Sequence, residues 1–507
     1  MAKAFLSIDP AAVVADVQPR TFGSFVEHLG RCVYTGLYEP GHPRADASGF
    51  RTDVLDAVRD LGVTMVRYPG GNFVSGYRWE DGVGPVADRP RRLDLAWHST
   101  EPNLVGTDEF LAWTKLAGVE PMMAVNLGTR GIQEALDLLE YCNVPGGTAL
   151  SDARRANGAA EPYRVKLWCL GNELDGHWQL GAKTAHEYGR LASQTAKAMR
   201  MIDPDLQLVA CGSSGSGMPT FGAWERTVLE EAYDDIDFVS AHAYYAEKDG
   251  DLASFLASAV DMDHVIEAVA ATCDHVRAAR RSSKRLMVSF DEWNVWYQQR
   301  AESRPPSGDD WPVAPVLLED RYTVADAVVV GSLLISLVKH SDRVRAACLA
   351  QLVNVIAPIM TEPGGRAWRQ TSFHPFAATA RHARGQVLAV PLEADTYPTS
   401  RFGDVPVLDA TATWDGQSRQ LAVFAVNRSI DEPTKVQIKL GSAGARLVEA
   451  AQFASEDRGW QASADDDSSV GLRPLAVRLD GQIAETTLPP VSWAMLRLAF
   501  DKTDGVR

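Results

Sequence analysis

The chain has 507 residues, 46% apolar and 23% charged, with a formal net charge of -16. That length accommodates two or three domains, and the acidic balance excludes nucleic acid or an anionic membrane as the main partner. The opening MAKAFLSIDPAAVV has only a short apolar patch before Asp9-Pro10, which is no signal peptide, and the six scattered cysteines lack a CxxC pair. A cytoplasmic protein with reduced thiols is expected.

Residues 3–8 alternate apolar and polar side chains and read as a strand. From about residue 20 to 380, short apolar runs then alternate with helical patterns. Eight runs are strand candidates: 22–26, 64–68, 121–126, 165–171, 207–211, 238–242, 287–290 and 346–353. Between them, residues 53–62, 108–118, 131–142, 186–203 and 264–281 carry the i, i+3/i+4, i+7 spacing of amphipathic helices. Alternation of this kind implies a parallel sheet. Eight repeats, with no Gly-rich phosphate turn after the first strand, favour an α/β fold of the (β/α)8 barrel type over an open sheet. The apolar stretch 324–338 contains Asp326 and is too short to span a bilayer, so a buried helix is expected.

After residue 385 the texture changes to short strand-like runs separated by turns such as Asp415-Gly416 and Asp480-Gly481. These predict a C-terminal all-β sandwich. The expected division is therefore a strand segment at 1–18 joining the sandwich, a barrel at 19–384, and the sandwich at 385–507. The polar stretch 455–469 reads as a long exposed loop.

A barrel of this type carries its site at the C-terminal ends of the strands. Those ends supply Glu27 and His28, Arg67 to Asn72, Asn126, Asn172 and Glu173, His242 and Tyr244, Asp291 to Asn294, and Gln351 and Asn354. Glu173 and Glu292 end strands four and seven and so face each other across the mouth. Two carboxylates flanking a bond are the equipment of glycoside cleavage: one protonates the leaving oxygen, and the other attacks or activates water. Trp79, Trp97, Trp178 and Trp296 offer flat faces for sugar rings. His28, His98, His177 and His242 match no metal-ligand spacing, and residues 212–217 lack the lysine of a P-loop. No GxSxG elbow surrounds Ser289, which argues against serine chemistry.

The stretches FGSFVEHLGRCVYTGLYE (22–39), RYPGGNFVSGYRWEDGVGP (67–85), CLGNELDGHWQ (169–179), FDEWNVWY (290–297) and AQLVNVIAPI (350–359) closely resemble the family 51 glycoside hydrolases, the α-L-arabinofuranosidases. The likeness runs to LPPVSW at 488–493 and covers nearly the whole chain. It implies a retaining, exo-acting enzyme that removes terminal α-L-arabinofuranosyl residues from arabinoxylan- and arabinan-derived oligosaccharides. It also implies a barrel with a sandwich to which the N-terminal strand contributes, a hexamer, and no cofactor or metal. On these motifs Glu173 resembles the general acid/base and Glu292 the nucleophile. Glu27, Arg67, Asn72, Asn172, Tyr244 and Gln351 fall where the family holds the furanose ring or the nucleophile, and Trp97 and Trp296 where it shapes the leaving-group side. Trp178 and His242 are further substrate-binding candidates. The loops at 246–262 and 300–315 are less distinctive. Retention requires the two carboxyl groups to lie about 5–5.5 Å apart. The rival readings are another two-glutamate barrel glycosidase, an endoglucanase or β-xylosidase, and a catalytically silent carbohydrate-binding protein.

Overall fold

In the computed structural model, which describes residues 1–441 and 444–500, eight parallel strands close into a barrel. They are β1 (Gly23–Phe25), β2 (Met65–Tyr68), β3 (Glu120–Val125), β4 (Leu167–Leu170), β5 (Gln207–Ala210), β6 (Phe238–Tyr245), β7 (Met287–Val295) and β8 (Val344–Leu349). Each pairs with the next, and β8 closes on β1. Parallel strands covered on both faces need nearly continuous apolar sequence. The Leu-Trp-Cys-Leu of β4 meets that need, being buried at every position.

The helices Thr52–Leu61, Thr107–Ala117, Ile132–Asn143 and Ala185–Ile202 lie within one residue of their predicted windows. The helix Ser258–Arg280 starts six residues before its window, and Leu252–Leu256 is a further short helix, so the expected loop at 246–262 is largely helical. Its start is fixed locally: the Asp251 side chain accepts the Ser254 backbone N–H, the usual N-cap exchange. β6 and β7 run past their predicted ends at 242 and 290. The polar residues that suggested strand ends lie inside the strands, where His242 and Glu292 are register partners. Irregularities between Ser240 and His242, and between Phe290 and Trp293, re-aim these side chains.

Two further sheets face each other beyond the barrel. In one, Ala2–Ile8 lies between Leu392–Ala394 and Thr434–Leu440, followed by Ile483–Leu488 and Val477–Asp480. The other runs Val13–Asp16, Gln386–Leu388, Leu408–Asp415, Gln420–Asn427, Ser492–Phe500, Ala445–Phe453 and Arg473–Pro474. The first strand's alternation buries Leu6 and Ile8 while Phe5 stays part-exposed. Barrel and sandwich share one apolar core, which includes Phe424, Trp493 and Met495 of the second sheet. The helix Val324–Lys339 is the contact element, with every residue from 324 to 338 buried. At its end Lys339 Nζ lies 2.9 Å from Asp409 of the sandwich, which also takes Arg428 at 2.5 Å.

The stretch 455–469 is not a free loop. Gln461 bridges to Thr323 and donates to the Arg321 carbonyl, and Ala462 packs with Met360 and Trp368. Polar composition hid this docking because several of its anchors are themselves polar, the Gln461 amide and the Asp467 carboxylate, which takes Arg366 at 2.7 Å. All six cysteines are buried and unpaired with one another. Among the described residues no helix is long and apolar enough to cross a membrane.

Candidate active site

The turn after β4 is built for one side chain. Gly171 has φ +91°, a left-handed backbone that glycine adopts without strain. Glu173 has φ +45°, which costs a residue with a Cβ about 1–2 kcal/mol. The surrounding contacts hold it there. His242 Nδ1 lies 2.8 Å from its Oε1, and the Trp178 indole N–H donates to its Oε2 at 3.1 Å. Opposite, on β7, Glu292 Oε1 accepts from Arg67 Nη1 at 2.7 Å and Oε2 from the Tyr244 hydroxyl at 2.8 Å. One oxygen from each glutamate and one ring nitrogen of His242 all lie within 4.8 Å of one another. Every carboxylate oxygen of the pair therefore already has a partner.

Arg67 comes from β2, buried on Phe25, whose ring centroid is 4.9 Å from the guanidinium carbon. Its second amino group donates to Asn172 Oδ1 at 2.6 Å. That leaves Asn172 Nδ2 buried without a partner, and Gln351 Oε1 is in the same state. Buried polar atoms are rarely left so unless something else fills them. Glu27 accepts from the Phe73 backbone N–H at 2.8 Å, the Trp97 indole at 2.9 Å and Gln351 Nε2 at 3.0 Å. Gly70 makes that approach possible, because a Cβ there would sit 2.3 Å from Glu27 Cγ.

Burial raises the Glu173 carboxyl above its ordinary range, and the Glu292 charge adds to this against the donors His242 and Trp178. Burial pushes Glu27 up to about 8, against the Phe73 and Trp97 N–H donors. For Asp291 burial acts upward too, but Arg67 and His242 outweigh it and hold the carboxyl low.

These groups border an open cleft of about 470 Å³ at the barrel mouth. Of the predicted site residues, Glu27, Asn72, Trp97, Glu173, Trp178, Tyr244, Glu292, Trp296 and Gln351 line it. Arg67, Asn172 and His242 are 1–2% exposed and stand behind that lining. Both His242 nitrogens are committed to carboxylates, Glu173 on one side and Asp291 at 2.9 Å on the other, so no N–H remains for a substrate. Trp79 is not in the cleft: it is buried against Tyr141, with ring centroids 5.1 Å apart. Asn126 bonds the Tyr77 carbonyl and its own loop, and Asn354 bonds the Arg31 carbonyl and Thr361. The four histidines do not converge, since His28 pairs with Glu101 and Tyr68, His98 stacks on Trp311, and His177 meets the edge of Trp178.

Sequence reasoning missed Asp291 as the partner of His242, Gln179 as the donor to Asn72, and Ser214 on the cleft wall. Asp291 stood beside Glu292 in plain view, whereas the other two carry no local signal.

A parallel barrel with two buried glutamates facing across its C-terminal mouth defines a glycoside hydrolase of the two-carboxylate class. Residues 57–272 match the model of the α-L-arabinofuranosidase 1 domain, and 291–492 that of the α-L-arabinofuranosidase C-terminal domain. The chain belongs to the family 51 α-L-arabinofuranosidases. A Streptomyces lividans intracellular exo-α-(1→5)-L-arabinofuranosidase is 57% identical to it, covering 98% of this chain and 76% of that one. A Bifidobacterium longum exo-α-(1→6)-L-arabinofuranosidase is 55% identical, with 97% of each covered. The structure of a family 51 enzyme from Bifidobacterium longum superposes with a TM-score of 0.94 at 50% identity, covering 98% of this chain and 99% of that one.

Proposed function

We propose that the chain is a retaining, exo-acting α-L-arabinofuranosidase that releases terminal α-L-arabinofuranosyl residues from arabinoxylan- and arabinan-derived oligosaccharides. The observation that carries the reading is the approach of the Glu173 and Glu292 carboxylates to within 4.8 Å, in a chain of this family. That approach of one oxygen from each side is compatible with the roughly 5–5.5 Å carboxyl separation at which one carboxylate attacks directly.

In this reading Glu292 is the nucleophile. Arg67 and Tyr244 donate to both of its oxygens and fix its orientation for attack. Glu173 is the acid, and its raised affinity for protons keeps it loaded at a pH where an ordinary carboxyl is empty. Attack of Glu292 on the anomeric carbon breaks the glycosidic bond while Glu173 protonates the departing oxygen. A covalent arabinosyl ester results, and Glu173 then takes a proton from the water that hydrolyses it. Asn172 Nδ2, held in place through Arg67 and otherwise unpartnered, is the donor for the sugar 2-hydroxyl. Glu27, Asn72 and Gln351 hold the remaining ring hydroxyls, and Trp97, Trp178 and Trp296 give the leaving sugar its apolar faces.

The intracellular designation of relatives from Streptomyces lividans and Acetivibrio thermocellus supports a cytoplasmic place for this chain. A homohexamer and the division at residues 18 and 384 belong to the same proposal. The pairing of Ala2–Ile8 with Thr434–Leu440 supports the division.

Turnover of 4-nitrophenyl α-L-arabinofuranoside against the matching β-xyloside tests the substrate. The account expects the arabinofuranoside to be preferred by at least about tenfold in kcat/KM, or roughly 1.4 kcal/mol. Preference for the xyloside returns the chain to the rival glycosidases, and binding of arabinose with no turnover to the silent binder.

A further inference from the structure

His242 occupies a place that the two-glutamate reaction leaves unassigned. Its Nδ1 is 2.8 Å from Glu173 Oε1 and 3.6 Å from Glu292 Oε2, and its Nε2 is 2.9 Å from Asp291 Oδ1. Three carboxyl groups thus surround one imidazole that is 2% exposed. The other groups facing this knot are few. Arg67, from β2, is paired with Glu292, and the Ser289 hydroxyl and Cys169 thiol bond Asp291 Oδ2. Burial pushes the neighbouring thiols of Cys169, Cys211 and Cys348 up, so they stay neutral.

We propose that His242 is a positioning residue that remains a doubly protonated imidazolium throughout the cycle, anchored by Asp291, and faces whichever glutamate is ionised. The proposal rests on the assignment of Glu173 and Glu292 made above. Before attack, Arg67 and His242 are the cations, Asp291 and Glu292 the anions, and Glu173 is neutral. Attack converts Glu292 to a neutral ester, and proton transfer to the leaving oxygen converts Glu173 to an anion. Two cations and two anions remain, so the buried site never holds an uncompensated charge, which would be costly in this surrounding.

A neutral imidazole does not serve this sequence. Asp291, held as an anion, would fix the single proton on Nε2 and turn the lone pair of Nδ1 toward Glu173. The Glu173 proton would then sit on Oε1, spent on His242. After transfer, a lone pair would face a carboxylate at 2.8 Å. With an imidazolium, Oε1 accepts from Nδ1–H, and the deliverable proton sits on Oε2, beside the exposed Trp178 at the cleft rim. Burial opposes a charged His242, but the charge of Glu292 and the hydrogen bonds to Asp291 and Glu173 favour it.

The direct test is ¹⁵N NMR of the full chain labelled at histidine, with the His242 signals assigned by their loss in His242→Asn. Both His242 nitrogens should carry protons at neutral pH in the wild type. One unprotonated nitrogen there overturns the proposal, whatever activity the enzyme shows. The second readout is the pH dependence of kcat/KM for His242→Asn on the aryl arabinofuranoside. Loss of a cation at this distance should move both limbs upward by about 1–3 pH units. Lower activity with unmoved limbs assigns His242 a merely structural role. If His242→Asn does not fold, Asp291→Asn still assigns the signals, because removing the anchoring anion should shift those of His242 alone. Absence of arabinofuranosidase activity in the wild type would instead strike the functional reading and leave the NMR result standing.

Discussion

At the scale of single residues, Glu173 is the most constrained side chain in the site. It takes a left-handed backbone after a glycine that also needs one, and both its oxygens are engaged from opposite sides. Strain of this kind persists only where the surroundings over-determine it, and it clusters at functional positions. Glu173→Ala should lower kcat/KM on arabino-oligosaccharides by about 10²–10⁴-fold. The loss should be smaller on 4-nitrophenyl α-L-arabinofuranoside, whose leaving group needs little protonation. Added azide should then restore turnover and yield α-L-arabinofuranosyl azide, because a small anion can enter from the vacated side of the ester. No azide effect, or the β-azide, would place the acid elsewhere.

At the scale of elements, the helix Val324–Lys339 ties the barrel to the sandwich. A Cβ at Gly331 would stand 2.3 Å from Trp493 Cδ1, and Trp493 is fully buried. Alanine in a helix interior gains about 1 kcal/mol over glycine, but overpacking against a fixed indole costs typically 1–3 kcal/mol. The clash should win. Gly331→Ala should lower the denaturation midpoint while leaving kcat near wild type, and an unchanged or raised midpoint would mean the interface is looser than its geometry. This helix was legible in the sequence, since fifteen residues with a single acid read as buried. So were the barrel strands, because parallel burial writes itself as apolar runs. The ends of β6 and β7 were not, because His242 and Glu292 pair with each other inside the sheet instead of leaving it. Trp79 carried the same letter as Trp97, and only tertiary packing sends one into the core and the other to the cleft. The exposed strand Ala445–Phe453 escaped notice because its burial does not alternate until its last residues.

At the scale of the whole molecule, the barrel–sandwich junction is also where acid should act. His374 stacks on Phe453 of the sandwich at 5.4 Å, and burial with help from Arg369 pushes it down to about 4. Burial and Arg497 push His382, on the same helix Phe373–His382, down to about 4 as well. Both are neutral when folded at pH values where the unfolded chain protonates them. The stability they allow is therefore present above about pH 6.5 and lost as pH falls toward 4. A shift of that size on one histidine corresponds to roughly 3 kcal/mol at most. His374→Gln should flatten the fall in melting temperature between pH 6.5 and 4 relative to wild type. A parallel fall in the variant would remove His374 as a cause.

What joins the three scales is a carboxylate pair, positioned by β4 and β7 in a scaffold braced from one side by the sandwich. Its central consequence is stereochemical, because two displacements at one carbon restore the starting configuration. The decisive measurement is ¹H NMR of the first sugar formed from 4-nitrophenyl α-L-arabinofuranoside, recorded before mutarotation. The account predicts that α-L-arabinofuranose appears first and the β-anomer later. Initial appearance of the β-anomer would contradict it, showing that water, and not Glu292, makes the first attack.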